Sequence, residues 1–157
     1  QKNKKVKPWY QHIKKKNIPV FKENDKIEIK VLVGEIKEIK SEVQTYSPVS
    51  IFDVQFSAPG NIDLHIPVEQ MTMIYIIDGE LQFSIDNKIA SKGQMIYFDQ
   101  SSDKMNLTSI SQSGSYLVLA GKPLGETISR YGPFVTNTEG EMQQAMLDYQ
   151  NGKMGHL

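Results

Sequence analysis

Met71-Thr-Met-Ile-Tyr-Ile-Ile77 is apolar on both faces and runs directly into Asp78-Gly79, after which Glu80-Leu-Gln-Phe-Ser-Ile85 begins. Asp-Gly between two such runs is a preferred sequence for a two-residue hairpin, whose central residues adopt positive φ. The first run suits a central strand enclosed by neighbours. The second is its return strand, with Leu81, Phe83 and Ile85 inward against Gln82 and Ser84, the two-residue period of a half-buried strand.

The same period recurs along the chain. Ile27, Ile29, Val31 and Val33 alternate with Glu28, Lys30 and Leu32 before a turn at Gly34, and Phe52, Val54 and Phe56 alternate with Asp53, Gln55 and Ser57 until Ala58-Pro-Gly60 stops the run. Glu35 to Pro48 is polar and weakly patterned, and reads as a loop with at most a short strand. Asp86-Asn-Lys88 makes a further turn. Ile89-Ala90, Met95 to Phe98, Leu107 to Ile110 and Tyr116 to Ala120 complete a set of about eight short strands. Strands at this spacing fit an antiparallel sandwich or a closed jelly-roll barrel, which hides its edges by rolling up. One helix is expected over 138–152. Thr138 and Glu141 form a capping box, Met142, Ala145, Met146 and Tyr149 form an apolar stripe, and Gly152 suits a left-handed end.

Composition narrows the function. At 157 residues the chain is long enough for one domain with a core, burying roughly 70% of its extended surface. No apolar run approaches the length of a membrane span, and Gln1 to Lys16 lacks the apolar centre of a signal peptide. Without Cys there are no disulfides and no thiolate ligands, which suits a reducing, cytoplasmic setting. Asn106-Leu-Thr108 matches a glycosylation pattern by chance, given no export signal. Residues 1–22 carry eight Lys and no acid, leaving 10 basic and 18 acidic groups and a net charge of −8 for the remainder. This basic arm reads as a solvated linker between domains. It has no Arg and no adjoining recognition motif, so nucleic acid is not the expected partner.

Gly121-Lys-Pro-Leu-Gly-Glu126, then Tyr131-Gly-Pro-Phe-Val-Thr-Asn137 and the helix, resemble the carboxyl end of a pirin. Pro8-Trp-Tyr-Gln11, Ile18-Pro-Val20 and the strand ending at Gly34 resemble the stretch where the second cupin barrel of a pirin begins. The resemblance implies an all-β cupin jelly roll with one carboxyl-terminal helix: an arm or linker over 1–22, the barrel over 23–137 and the helix over 138–152. It also implies two barrels face to face in the whole protein, with iron or another divalent metal in the first and none in the second.

The family's ligand pattern agrees with the second barrel. It places His-x-His before a Glu that lies seven residues ahead of a hairpin Gly, and a further His about eleven residues after a second Gly. Counted from Gly79 and Gly93, these positions hold Ile66 and Val68 (or His65 and Pro67), Thr72 and Lys104. With His only at 12, 65 and 156, no three-histidine centre is expected. His65 with Glu69 is the outside candidate for a metal pair, weakened by the Pro67 between them.

Other chemistry is absent too. There is no Gly-x-Ser-x-Gly elbow, no phosphate-binding glycine loop and no His beside a nucleophile in the sequence. Arg130, the only Arg, is expected to pair with a carboxylate on a facing domain or with Asp148. Tyr131, Pro133 and Phe134 read as an apolar plug or a partner surface, and Met142, Met146 and Tyr149 as a stripe that docks on the barrel, the first barrel or a second copy.

The reading is therefore a metal-free carboxyl-terminal cupin with a structural and interaction role. It would not be an enzyme alone, and it supports a metal-bearing cupin in a quercetin 2,3-dioxygenase-like protein. The alternatives are a redox-sensitive transcription cofactor, as in eukaryotic pirins, and a stand-alone barrel holding a small apolar molecule in its interior. A Lys-, Ile- and Asn-rich composition suits AT-rich coding and a bacterial enzyme.

Overall fold

The computed structural model describes residues 3, 4, 6–84, 87–99 and 102–155; Ile85 and Asp86 of the expected return strand and turn, and His156, lie outside the described residues. The chain divides into two compact units, Trp9–Pro123, and Leu124–Leu157 with Gln1–Pro8.

The first unit contains β1 (Val20–Asn24), β2 (Ile27–Val33), β3 (Glu35–Ile36), β4 (Ile39–Lys40), β5 (Val49–Phe56), β6 (Gly60–His65), β7 (Met71–Asp78), β8 (Glu80–Phe83), β9 (Ile89–Ser91), β10 (Met95–Phe98), β11 (Lys104–Ser109) and β12 (Gly114–Gly121). The second contains β13 (Ser129–Tyr131), β14 (Phe134–Thr136) and α1 (Glu139–Gln150). A six-stranded antiparallel sheet runs β1-β2-β5-β12-β7-β10 and a four-stranded one β6-β11-β8-β9; β3-β4 and β13-β14 are separate hairpins.

Alternation puts one face of each sheet inside. The six-stranded sheet contributes Ile27, Ile29, Val31, Phe52, Val54, Phe56, Ile74, Ile76, Tyr116 and Val118, and the four-stranded sheet contributes Ile62, Leu64, Leu81, Phe83, Met105 and Leu107, all buried in one cluster. At about 1.5–3 kcal/mol for each fully buried large side chain, this shared interior is what drives the two sheets together. The expected jelly roll of the cupin type is the observed fold, and β7 is a central strand, between β12 and β10.

Four features depart from the sequence expectation. Asp78-Gly79 is a bend between the two sheets and not a hairpin: β7 pairs with β12 and β10, β8 pairs with β11 and β9, and of the two turn residues Gly79 alone takes positive φ, at +81°. β1 begins inside the expected arm: Val20, Phe21 and Lys22 pair with Lys30, Ile29 and Glu28 of β2, and Phe21 packs against the core. β6 follows the stop at Ala58-Pro-Gly60, burying Ile62 and Leu64 while Asn61, Asp63 and His65 stay exposed. The Tyr131 segment is a hairpin, with Tyr131 opposite Phe134 across β13–β14. The helix is as expected, with Thr138 as cap accepting from the Glu141 amide at 3.2 Å and Gly152 at φ +69°.

Candidate functional site

A cavity of about 990 Å³ opens in the first unit, lined by Gly34, the β3–β4 hairpin and the loop after it, the start of β5, the end of β6 and the turn ahead of β7. Gly34 shapes its wall. At φ +87° it turns the chain out of β2, and a Cβ there would meet the Val49 carbonyl oxygen at 2.8 Å, so the close approach of β5 requires glycine. Ser41 then folds the β3–β4 hairpin back: its amide donates to the Gly34 carbonyl at 2.9 Å, its hydroxyl to the Leu32 carbonyl at 2.7 Å, and its Oγ accepts from the Val43 amide at 3.1 Å.

Two polar side chains are buried in the cavity wall. The Ser50 hydroxyl donates to Gln70 Oε1 at 3.2 Å; this leaves the two N–H donors of the Gln70 amide for other partners. Gln70 is fixed by a tight turn, its amide donating to the Pro67 carbonyl at 2.8 Å. The hydroxyl of Thr72 donates to the Gln70 carbonyl at 3.3 Å.

The rim is acidic on balance, with Glu35, Glu42, Asp63 and Asp103 against Lys37 and Lys40. Lys37 reaches Glu23 at 3.0 Å and lies 4.4 Å over the Phe21 ring, Lys40 is 3.8 Å from Glu35, and Asn106 donates to Asp63. Beside the rim, Gln11 Oε1 accepts from the Gln44 amide at 2.8 Å and Trp9 Nε1 donates to the Tyr46 hydroxyl at 3.3 Å. The Trp9 to Gln11 stretch is thus held against the loop that follows β4.

The counted ligand positions separate on folding. Ile66 and Thr72 are buried, at 4% and 5% exposure, whereas Val68 is exposed and Lys104 lies outside, directly across from His65. The inward residue beside Lys104 is Met105. An alkyl chain, a hydroxyl and a thioether are not the imidazole and carboxylate donors that a cupin dication needs. Among the described residues no three His, Cys, Asp or Glu side chains are grouped to hold an ion. His65 lines the cavity at the end of β6, while Glu69 is exposed in the turn beyond it, so strand geometry does not align this pair. The donor set does not fit the metal.

The remaining candidates lie in the second unit. Arg130 is exposed on β13 opposite Val135, and Asp148 accepts instead from Gln144 at 2.9 Å and Lys153 at 3.3 Å. Tyr131 is 63% exposed and Pro133 is exposed, so neither plugs an interior. Phe134 packs edge-on against Tyr149, ring centroids 5.8 Å apart. Met142 is buried and Met146 half-buried, whereas Tyr149 is largely exposed. Asn137 organises this unit: its Nδ2 donates to the Thr127 carbonyl at 2.8 Å and Glu126 at 3.0 Å, its amide to Glu141 at 3.0 Å, and its Oδ1 accepts from Lys4 at 2.6 Å.

The cavity's buried polar pair was not legible in the sequence. Ser50 and Gln70 lie 20 residues apart, and neither forms part of a local motif.

Comparison with known proteins gives this geometry its family. The Pirin C-terminal cupin domain matches residues 51–155. Human Pirin is 32% identical over 155 residues, covering 97% of this chain and 53% of that protein; Pirin-1 of Arabidopsis thaliana is 31% identical over 156 residues, covering 97% and 54%. A crystal structure of quercetin 2,3-dioxygenase from Acinetobacter baumannii superposes with a TM-score of 0.79 at 27% identity, covering 94% of this chain and 51% of that one. The chain spans about half the length of the curated relatives it matches. With a family match over most of its length and a barrel to go with it, this chain belongs to the pirin family, as a pirin carboxyl-terminal cupin domain.

Proposed function

We propose that this chain is the metal-free second barrel of a two-barrel pirin, with a structural and interaction role: it supports a metal-bearing barrel supplied upstream or by another chain. The whole protein would then be a quercetin 2,3-dioxygenase-like oxidoreductase, bacterial and cytoplasmic, with iron or a similar dication in that other barrel. The observation that carries this reading is the filling of the inward positions at the ligand-bearing end by Ile66, Thr72 and Met105. The half-length match to the quercetin 2,3-dioxygenase of Acinetobacter baumannii supports the activity assigned to the whole.

Elemental analysis of the purified chain, with intact mass on the same sample, tests it. The expected result is no stoichiometric iron, manganese, nickel or copper in the 157-residue chain, and stoichiometric metal once the upstream segment is included. A full equivalent of metal in the short chain overturns the reading.

The cavity favours a second reading, a small polar ligand received by Ser50 and Gln70 at the barrel mouth. Such a ligand raises the melting temperature with its concentration. A flat response across a varied panel at saturating concentrations removes this reading and leaves the first.

A further inference from the structure

The cavity of the first unit has walls of aliphatic and polar side chains, and none of the described residues lining it is aromatic. Its volume, about 990 Å³, falls in the range of small-molecule sites, about 300–1,000 Å³. A flat aromatic ligand needs rings to stack on, and a quaternary ammonium needs an aromatic cage. This cavity offers neither.

What it does offer is, first, negative charge. Four carboxylates, Glu35, Glu42, Asp63 and Asp103, line it against the ammonium groups of Lys37 and Lys40. Lys37 is engaged by Glu23 beyond the lining, Lys40 by Glu35, and Asp63 by the neutral amide of Asn106. Glu42 and Asp103 meet no cation among the described residues. With Glu23 and with Lys104, which lies across from His65 outside the lining, acids still outnumber bases.

The second feature is Gln70, which is only 8% exposed. Its Oε1 accepts from the Ser50 hydroxyl at 3.2 Å, and its Nε2 has no partner among the described residues. That nitrogen is not sealed in, since the fully occluded and unpartnered side-chain atoms among the described residues are the hydroxyls of Ser109 and Tyr116. It opens on the cavity that Gln70 lines. A half-turn of the amide exchanges its two ends, and a ligand hydroxyl, being donor and acceptor at once, meets either. Acid and amide share one wall: the Ile66 amide donates to the Asp103 carbonyl at 2.9 Å, and the Gln70 amide closes the following turn on the Pro67 carbonyl at 2.8 Å.

We infer that this cavity binds a small aliphatic amine bearing hydroxyl groups, an amino polyol, with its ammonium at Glu42 and Asp103 and a hydroxyl on the Gln70 amide. The inference rests on the small-ligand reading of the cavity and adds the chemical class. A primary ammonium brings three N–H donors, and its bonds to carboxylates are charge-assisted.

Glucamine, sorbitol and gluconate share one hydroxylated chain and differ at one end, which is an ammonium, a hydroxyl or a carboxylate. Each is titrated into the 157-residue chain at neutral pH and followed through the side-chain amide resonances of Gln70. Glucamine should shift these resonances and bind roughly tenfold more tightly than sorbitol, with gluconate weaker than either. Glu42→Gln together with Asp103→Asn should weaken glucamine by roughly fivefold or more and leave sorbitol unchanged. Both residues are exposed, so the melting temperature of the double variant should match the parent. Equal affinity for all three, or a preference for gluconate, overturns the amine while leaving the small-ligand reading in place. Glucamine binding that leaves the Gln70 resonances unmoved, or that survives the double substitution, overturns the site. If none of the three binds, the inference fails outright, and the small-ligand reading falls with it only when the wider panel is flat as well.

Discussion

Asn137 joins three stretches of chain through one small amide: the strand-to-helix corner, Glu126-Thr127 and Lys4. Its Nδ2 faces a carboxylate and a carbonyl, so Asn137→Asp replaces two donated hydrogen bonds with repulsion. The expected cost is about 1–3 kcal/mol, read as a lower melting temperature that Asn137→Gln does not reproduce in size. Glu141 accepts from Lys4 and from the Asn137 amide, and these bonds hold its carboxyl below the ordinary range. A group lowered in the folded state stabilises above its unfolded pKa and loses that contribution as pH falls through the folded value. Melting temperature should therefore drop below about pH 4.5, and Glu141→Gln should flatten that drop; parallel curves for the two proteins would sink the assignment. Tyr116 and Ser109 are fully buried hydroxyls with no hydrogen-bond partner among the described residues, and burial pushes the Tyr116 phenol up. Removing an unsatisfied group relieves its desolvation, so Tyr116→Phe should be neutral or stabilising within about 1 kcal/mol. A clear loss in chemical denaturation would reveal a bound water in its place. Apart from the capping role of Glu141, these roles were not legible in the sequence. Asn137 lies in the segment that resembles a pirin, but its partner Lys4 is 133 residues away.

At the next scale up, β12 passes so close to the 78–79 bend that a Cβ on Gly114 would meet the Asp78 carbonyl oxygen and lie 2.5 Å from the Phe56 ring. Neither backbone nor a ring packed on Tyr116 can move freely. Gly114→Ala should accordingly cost about 3 kcal/mol by overpacking, whereas Gly140→Ala, with open space around its Cβ position, should stabilise α1 slightly; urea denaturation of the two variants compares them directly. Elements with strict alternation or a strong cap were legible: β2, β5, β7, β8 and α1. The hairpin expected at Asp78-Gly79 does not form, because β7 finds its partners in β12 and β10, and β8 in β11 and β9. β6 was not legible, because Asn61, Asp63 and the Pro-Gly before them are poor strand formers and only its pairing with β11 compensates. The β13–β14 hairpin escaped for a similar reason, being three residues long on each side. The capping box was half legible. Thr138 caps as expected, but Glu141 returns to the Asn137 amide, one residue ahead of the cap. The ligand count also went only part way: it found Ile66 and Thr72 inside, but Lys104 stands one residue away from the inward position of Met105.

As a whole molecule, the chain combines a barrel whose family was legible in its last third with a surface that was not. Residue types alone did not reveal the apolar outer rows of the six-stranded sheet, because Met73, Tyr75, Met95 and Leu117 are scattered over 45 positions and meet only through strand register. On the two-barrel reading proposed above, ribosomes would deliver the other barrel first, and a folded neighbour would be at hand when the six-stranded sheet closes. On its own, the 157-residue chain should cloud on heating and scatter light in a concentration-dependent way, with edge strand β10 as the first point of stacking. Co-expression of the two halves should keep the solution clear where mixing them after purification does not. The order of synthesis would then act as the domain's chaperone.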